Sequence, residues 1–101
     1  MILYNVTINI DDSVHDEWLR WMKSEHIPEV LATGLFTGNK IFKIISKEKE
    51  EGNTYSIQYF LNSIDDYEKY LNEYASKLQT EHSEKYKDKF IAFRTLMESV
   101  L

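Results

Sequence analysis

Residues 15–36, HDEWLRWMKSEHIPEVLATGLF, hold two of the chain's three histidines, both tryptophans and its single proline, and their periodicity decides the fold. At about 100° per residue, Val14, Trp18, Leu19, Trp21 and Met22 fall on one arc, while Asp16, Glu17, Arg20, Lys23 and Ser24 fall opposite. That is the pattern of a helix laid against a core. Ser13 with Asp16 three residues on is a capping pair for its start, and Asp16 reaches Arg20 across one turn. Pro28 disfavours helical geometry at Ile27 but suits the first position of a new turn, and Gly34 supplies the left-handed exit. The stretch therefore predicts a helix, a break, a second short helix and a strand.

Working outward, residues 2–10 alternate Ile2, Tyr4, Val6, Ile8 and Ile10 against Asn5, Thr7 and Asn9, the period of a half-buried strand. Residues 35–46, with Phe36, Ile41, Phe42, Ile44 and Ile45, predict a long second strand with apolar groups on both faces. Gly52-Asn53 marks a hairpin turn. After it, residues 54–61 alternate Tyr55, Ile57, Tyr59 and Leu61 against Thr54, Ser56 and Gln58, so strands two and three pair antiparallel.

A second helical stripe follows in Ile64, Tyr67, Leu71, Tyr74, Ala75 and Leu78, with Ser63 and Asp66 repeating the capping spacing. His82 continues the stripe, but Lys85 then shares it, so the helix is expected to fray or bend between them. Residues 90–100 predict the last strand, with Ile91, Phe93 and Met97 on one side and Ala92, Arg94, Leu96 and Glu98 on the other.

The order βαββαβ is the ferredoxin-like arrangement, an α+β fold with a four-stranded antiparallel sheet and two helices on one face. The open face is expected to carry Asn5, Thr7, Asn9, Ser56, Gln58 and Arg94 with apolar groups from strands two and four. Such a face is too apolar to leave to solvent, which predicts a homodimer formed through it.

Composition narrows the function classes. A chain of 101 residues with 14% aromatic and 29% charged residues is expected to be one domain, residues 1–101, around a single core. The absence of cysteine excludes disulfides and thiolate metal sites. MILYNVTINI has no basic leader, and no run approaches the roughly 20 apolar residues of a membrane span, so no membrane partner and a cytoplasmic location are expected. A net charge of −5 argues against nucleic acid. With no phosphate-cradling glycine loop, HExxH motif or nucleophile elbow, nucleotide hydrolysis and metalloprotease chemistry are not expected.

The candidate site residues come from the same stretch and from the last strand. His15, Met22 and His26 lie along one edge of the apolar arc, aiming both imidazoles toward a cleft between helix and sheet. At helical rise the two histidines stand roughly 16 Å apart, so they share no metal, and no metal or cofactor is expected. His26 reads either as a general base or ligand donor, or as a histidine satisfying the last carbonyls before Pro28. Glu25 falls inside the arc, where burial would raise its pKa for acid–base work; if solvated, it has no role. Arg94, mid-strand among apolar neighbours, reads either as an anion-binding arginine on the open sheet face or as one partner of a buried ion pair, with Glu98 or with a carboxylate of the partner subunit. Trp18 and His82 read most simply as core, with Trp18 also able to line the cleft.

Read as a whole, the chain resembles a domain-of-unknown-function family of short bacterial proteins. The resemblance is carried by YNVT at residues 4–7, the block of residues 15–36, QYF at residues 58–60 and FRT at residues 93–95. It implies no activity. The chain is also similar to the dimeric α/β-barrel proteins, with His26, Pro28 and Gly34 in places comparable to a histidine, proline and glycine found there. That group includes cofactor-independent monooxygenases, dehydratases, isomerases and haem-binding enzymes. The expected function is thus a homodimer that binds a small organic, anionic ligand in a cleft lined by Trp18, Met22, His26 and Arg94, with His15 and Glu25 as further candidates. Cofactor-independent proton transfer would run through His26. The rival expectations are a ligand-free dimerisation or interaction module, and haem binding through a histidine.

Overall fold

The computed structural model describes residues 1–48 and 50–101. Four strands, β1 (Ile2–Ile10), β2 (Gly38–Lys43), β3 (Asn53–Leu61) and β4 (Phe90–Glu98), form one antiparallel sheet in the order β2-β3-β1-β4. Between β1 and β2 lies one helical run: α1 (His15–Trp21), a π turn (Met22–His26) and α2 (Ile27–Leu31). Between β3 and β4 lies another: α3 (Ile64–Tyr70), a π turn (Leu71–Ala75) and α4 (Ser76–Lys85). This is the ferredoxin-like fold, with both helical runs on one face of the sheet. The core between them holds Ile10, Ile57 and Leu61 from the strands and Trp18, Met22 and Val30 from the first run, all essentially fully buried. Each stabilises the fold by about 1.5–3 kcal/mol through burial.

The π turns are where the structure departs from the predicted helices. No break occurs at Pro28. Instead the Ile27 N–H donates to the Met22 carbonyl five residues back, and the chain continues into α2 with Pro28 in its first turn. The wider turn relieves the clash that a proline ring makes with the carbonyl four residues earlier. The second run does not fray near His82; it is helical through Lys85. Its buried side is Tyr70, Ala75, Leu78, His82 and Tyr86, and the five-residue step from Tyr70 to Ala75 is the π turn. Ile64 and Leu71, expected inside, are exposed because the stripe ahead of that turn runs through Tyr67 and Tyr70.

Two smaller differences concern the start of α1 and the length of the second strand. Ser13 does not cap α1; the Asp11 carboxylate accepts from the Ser13 backbone N–H at 2.9 Å and from its hydroxyl at 2.6 Å, closing a 3-10 turn before α1. The Ser63 cap is present, its hydroxyl accepting from the Asp66 N–H at 3.2 Å. The second strand is shorter than residues 35–46: Leu35 and Phe36 pack on the core ahead of β2, and Ile44 and Ile45 lie exposed beyond it.

Register assigns the faces. Val6 pairs with Arg94 and Ile8 with Ala92, so Arg94 lies on the helix-covered side rather than on the open face. The open face presents Asn5, Thr7, Asn9, Ser56 and Gln58 on the inner strands, flanked by Phe42 on β2 and Ile91, Phe93 and Met97 on β4. The flanking apolar groups are exposed, Ile91 at 75% and Phe93 at 61%.

Candidate functional site

The first π turn ends on His26, and the extra residue it inserts rotates this side chain inward between α2 and the second helical run. His26 is 9% exposed and stacks on Trp21 at 5.0 Å between ring centres. Among the described residues, no protein group hydrogen-bonds its buried Nδ1. Burial lowers its pKa to about 4, against a weak opposing pull from Glu81, so the ring is neutral at pH 7. The alternative in which His26 caps the helix carbonyls is not what its side chain does.

His82, from α4, stands beside it with ring centres 5.7 Å apart. The Trp18 indole N–H donates to His82 Nε2 at 2.9 Å, and Phe90 meets the ring edge-on at 4.5 Å. His82 too is held near a pKa of about 4, first by burial and then by His26 and Arg94. From sequence His82 belongs to the core stripe; its pairing with Trp18 spans 64 positions of chain, and no local pattern announces it.

On the sheet side, the Arg94 Nε donates to the Tyr4 hydroxyl at 3.1 Å. Burial raises the Tyr4 pKa, with Arg94 pulling the other way. Arg94 is not paired with Glu98, and it remains an exposed residue with its charge at the rim. His26, His82, Tyr4 and Arg94, with Met22 and Gln79, surround a cavity of ≈ 30 Å³ closed by apolar groups of β1, β3 and the helices. That is the room of about one water molecule.

Not every predicted residue joins this cluster. His26, Met22 and Arg94 line the cavity, and Trp18 stands behind it as the partner of His82. Glu25 is exposed, since it sits on the outer side of the π turn, and it does not line the cavity. His15 lies elsewhere, its Nε2 2.6 Å from the Tyr55 hydroxyl and its Nδ1 3.5 Å from the Asp16 carboxylate. Tyr4, Gln79 and His82 are the members sequence reasoning missed. Among the described residues, no group of three or more His, Cys, Asp or Glu side chains could hold a metal ion. No described helix is long and apolar enough to cross a membrane.

Several solved structures share the fold. A dimeric ferredoxin-like protein from an uncultured marine organism has a TM-score of 0.71 at 15% identity, covering 100% of this chain and 96% of its own. A variant of SnoaB, a cofactor-independent oxygenase from Streptomyces nogalater, has a TM-score of 0.69 at 8% identity, covering 99% and 93%. A variant of MhuD, with two manganese protoporphyrin IX bound per active site, has a TM-score of 0.67 at 13% identity, covering 100% and 96%. At such identities the likeness extends to the fold and no further. No curated protein matches the chain by sequence. Over residues 1–100 it matches the model of a family described as Domain of unknown function (DUF4286), and the chain belongs to that family.

Proposed function

We propose that this protein is a homodimer whose subunits each bind a small organic anion in the cleft between sheet and helices, with Arg94 holding the negative group and His26 meeting the ligand inside. The observation that carries this reading is the buried, unpartnered Nδ1 of His26 on a cavity whose rim bears an exposed arginine. A buried polar atom left without a partner costs about 1–3 kcal/mol, a cost that a bound ligand removes. The cavity of ≈ 30 Å³ takes only the leading group of a ligand; typical pockets are about 300–1,000 Å³. The rest of the molecule lies toward Arg94, and the cleft widens to admit it.

Acid–base chemistry is a second step of the same proposal. A ring with a pKa of about 4 is a weak base in the empty cleft, and a bound anion raises it by favouring the imidazolium. The test is a binding and turnover screen of small carboxylates and their enol or carbonyl derivatives against the wild type, His26→Phe and Arg94→Gln. Binding that weakens tenfold or more in both variants supports the reading. Unchanged binding and turnover in both overturns it.

The small cavity favours a second reading, a non-catalytic dimerisation or interaction module. It predicts that no small anion binds and that only changes on the open face alter behaviour. Haem binding has the same cavity volume against it, and a colourless purified protein disposes of it.

A further inference from the structure

We propose that the cavity between His26 and His82 seats one carbonyl oxygen of the ligand, with Trp18 as the positioning residue that makes His82 a hydrogen-bond donor to it. This rests on the reading of the cleft as an anion-binding site and adds what the ligand must carry at its inner end.

The argument begins with Trp18. An indole N–H donates and never accepts, so the 2.9 Å contact obliges His82 Nε2 to be the acceptor. A neutral imidazole carries one proton, which must then sit on Nδ1, leaving Nδ1–H as the only donor this ring has to offer. Trp18 is fully buried against Tyr55 and has no solvent to turn to, so the tautomer is held rather than sampled.

His26 supplies the second group. It is nine-tenths buried, its Nδ1 is unpartnered, and both rings line the one cavity. The volume, ≈ 30 Å³, matches a single oxygen atom with little to spare. Both imidazoles are neutral at pH 7. With the His26 proton taken, as part of the proposal, to sit on its unpartnered Nδ1, two neutral donors face one oxygen, which suits a carbonyl, whose two lone pairs accept both bonds and whose partial charge needs no cation. They suit a hydroxyl less, because once it accepts both bonds its proton must turn to the Gln79 amide or to the Tyr4 hydroxyl, which already accepts from Arg94. The anionic group remains at the rim with Arg94. The ligand class that follows is a small oxo acid, carbonyl inward and carboxylate outward, and the two donors polarise the carbonyl in the manner of an oxyanion hole.

The test uses the full chain labelled with ¹⁵N at histidine, read by NMR at pH 7, with pyruvate, lactate and propionate as probes. In the free protein the His82 proton is expected on Nδ1, and Trp18→Phe is expected to release the ring into a mixture of tautomers. A wild-type His82 protonated on Nε2 overturns the proposal without any variant. Pyruvate is expected to shift the Nδ1 resonances of both His26 and His82 and to bind at least tenfold more tightly than lactate or propionate. If the three acids bind equally, with Arg94→Gln weakening all of them, the carbonyl seat is wrong and the anion site stands. If none binds, both are wrong.

Discussion

At the scale of single residues, His26 and His82 tie the fold to acidity. Both rings have pKa values lowered to about 4 by burial, against an ordinary value of 6.5. The unfolded chain therefore binds protons in the window from about pH 6.5 down to 4 that the folded chain does not. Folding stability is complete above that window and falls as the pH drops through it, by about 3 kcal/mol for each ring. That is a large share of ordinary domain stability. Urea unfolding at pH 7 and at pH 4.5 should show the loss, and His26→Phe, which keeps the ring stacked on Trp21, should show about half of it. The same change should leave stability at pH 7 equal or higher, because it removes a polar atom that no protein group satisfies. His82→Phe should instead cost about 1–3 kcal/mol at pH 7, since the Trp18 N–H loses its acceptor. Equal pH profiles for wild type and His26→Phe would contradict the neutral-ring account.

At the scale of elements, the hairpin between β2 and β3 depends on Gly52, which has φ +75°. A Cβ there would stand 2.6 Å from the Asn9 Oδ1 and 2.7 Å from the Ile10 carbonyl oxygen. Gly34 also has a positive φ, at 80°, but nothing lies within 4 Å of where its Cβ would be. Gly34→Ala should thus cost only the left-handed backbone penalty, about 1 kcal/mol. Gly52→Ala adds a clash with backbone, so its denaturation midpoint should fall well below that of Gly34→Ala; the reverse order would contradict the hairpin geometry. The strands were legible because β1 and β3 alternate cleanly, Ile2 to Ile10 and Tyr55 to Leu61. The π turns were not, because Pro28 reads from sequence as a break, and the five-residue step from Tyr70 to Ala75 carries no residue signature of its own. The face of Arg94 was misread for a related reason. On β4 most of the apolar groups, Ile91, Phe93 and Met97, point away from the helices, while the core side carries Arg94 beside Phe90 and Ala92.

At the scale of the molecule, the open face and the cleft make separate demands. The open face carries Lys40 among otherwise neutral side chains, in a chain with a net charge of −5. Two copies meeting there bring almost no like charge together, while Phe42, Ile91, Phe93 and Met97 leave water. Phe93→Asp should therefore convert the proposed dimer to a monomer in light scattering while leaving the far-ultraviolet circular dichroism unchanged. An unaltered mass would place any dimer contact elsewhere. The site was only partly legible: His26, Met22 and Arg94 follow from the helix phase and a lone mid-strand charge, whereas His82 and Tyr4 reach the cavity through contacts between distant segments.

The most direct measurement is a high-resolution crystal structure of the protein as purified, with no ligand added. The account predicts density in the cavity within hydrogen-bonding distance of His26 Nδ1, whether a retained ligand or the water that a ligand oxygen displaces. A dry cavity, with His26 Nδ1 still unpartnered and Arg94 turned away to an acidic neighbour, would contradict it and direct the search for function to the open face.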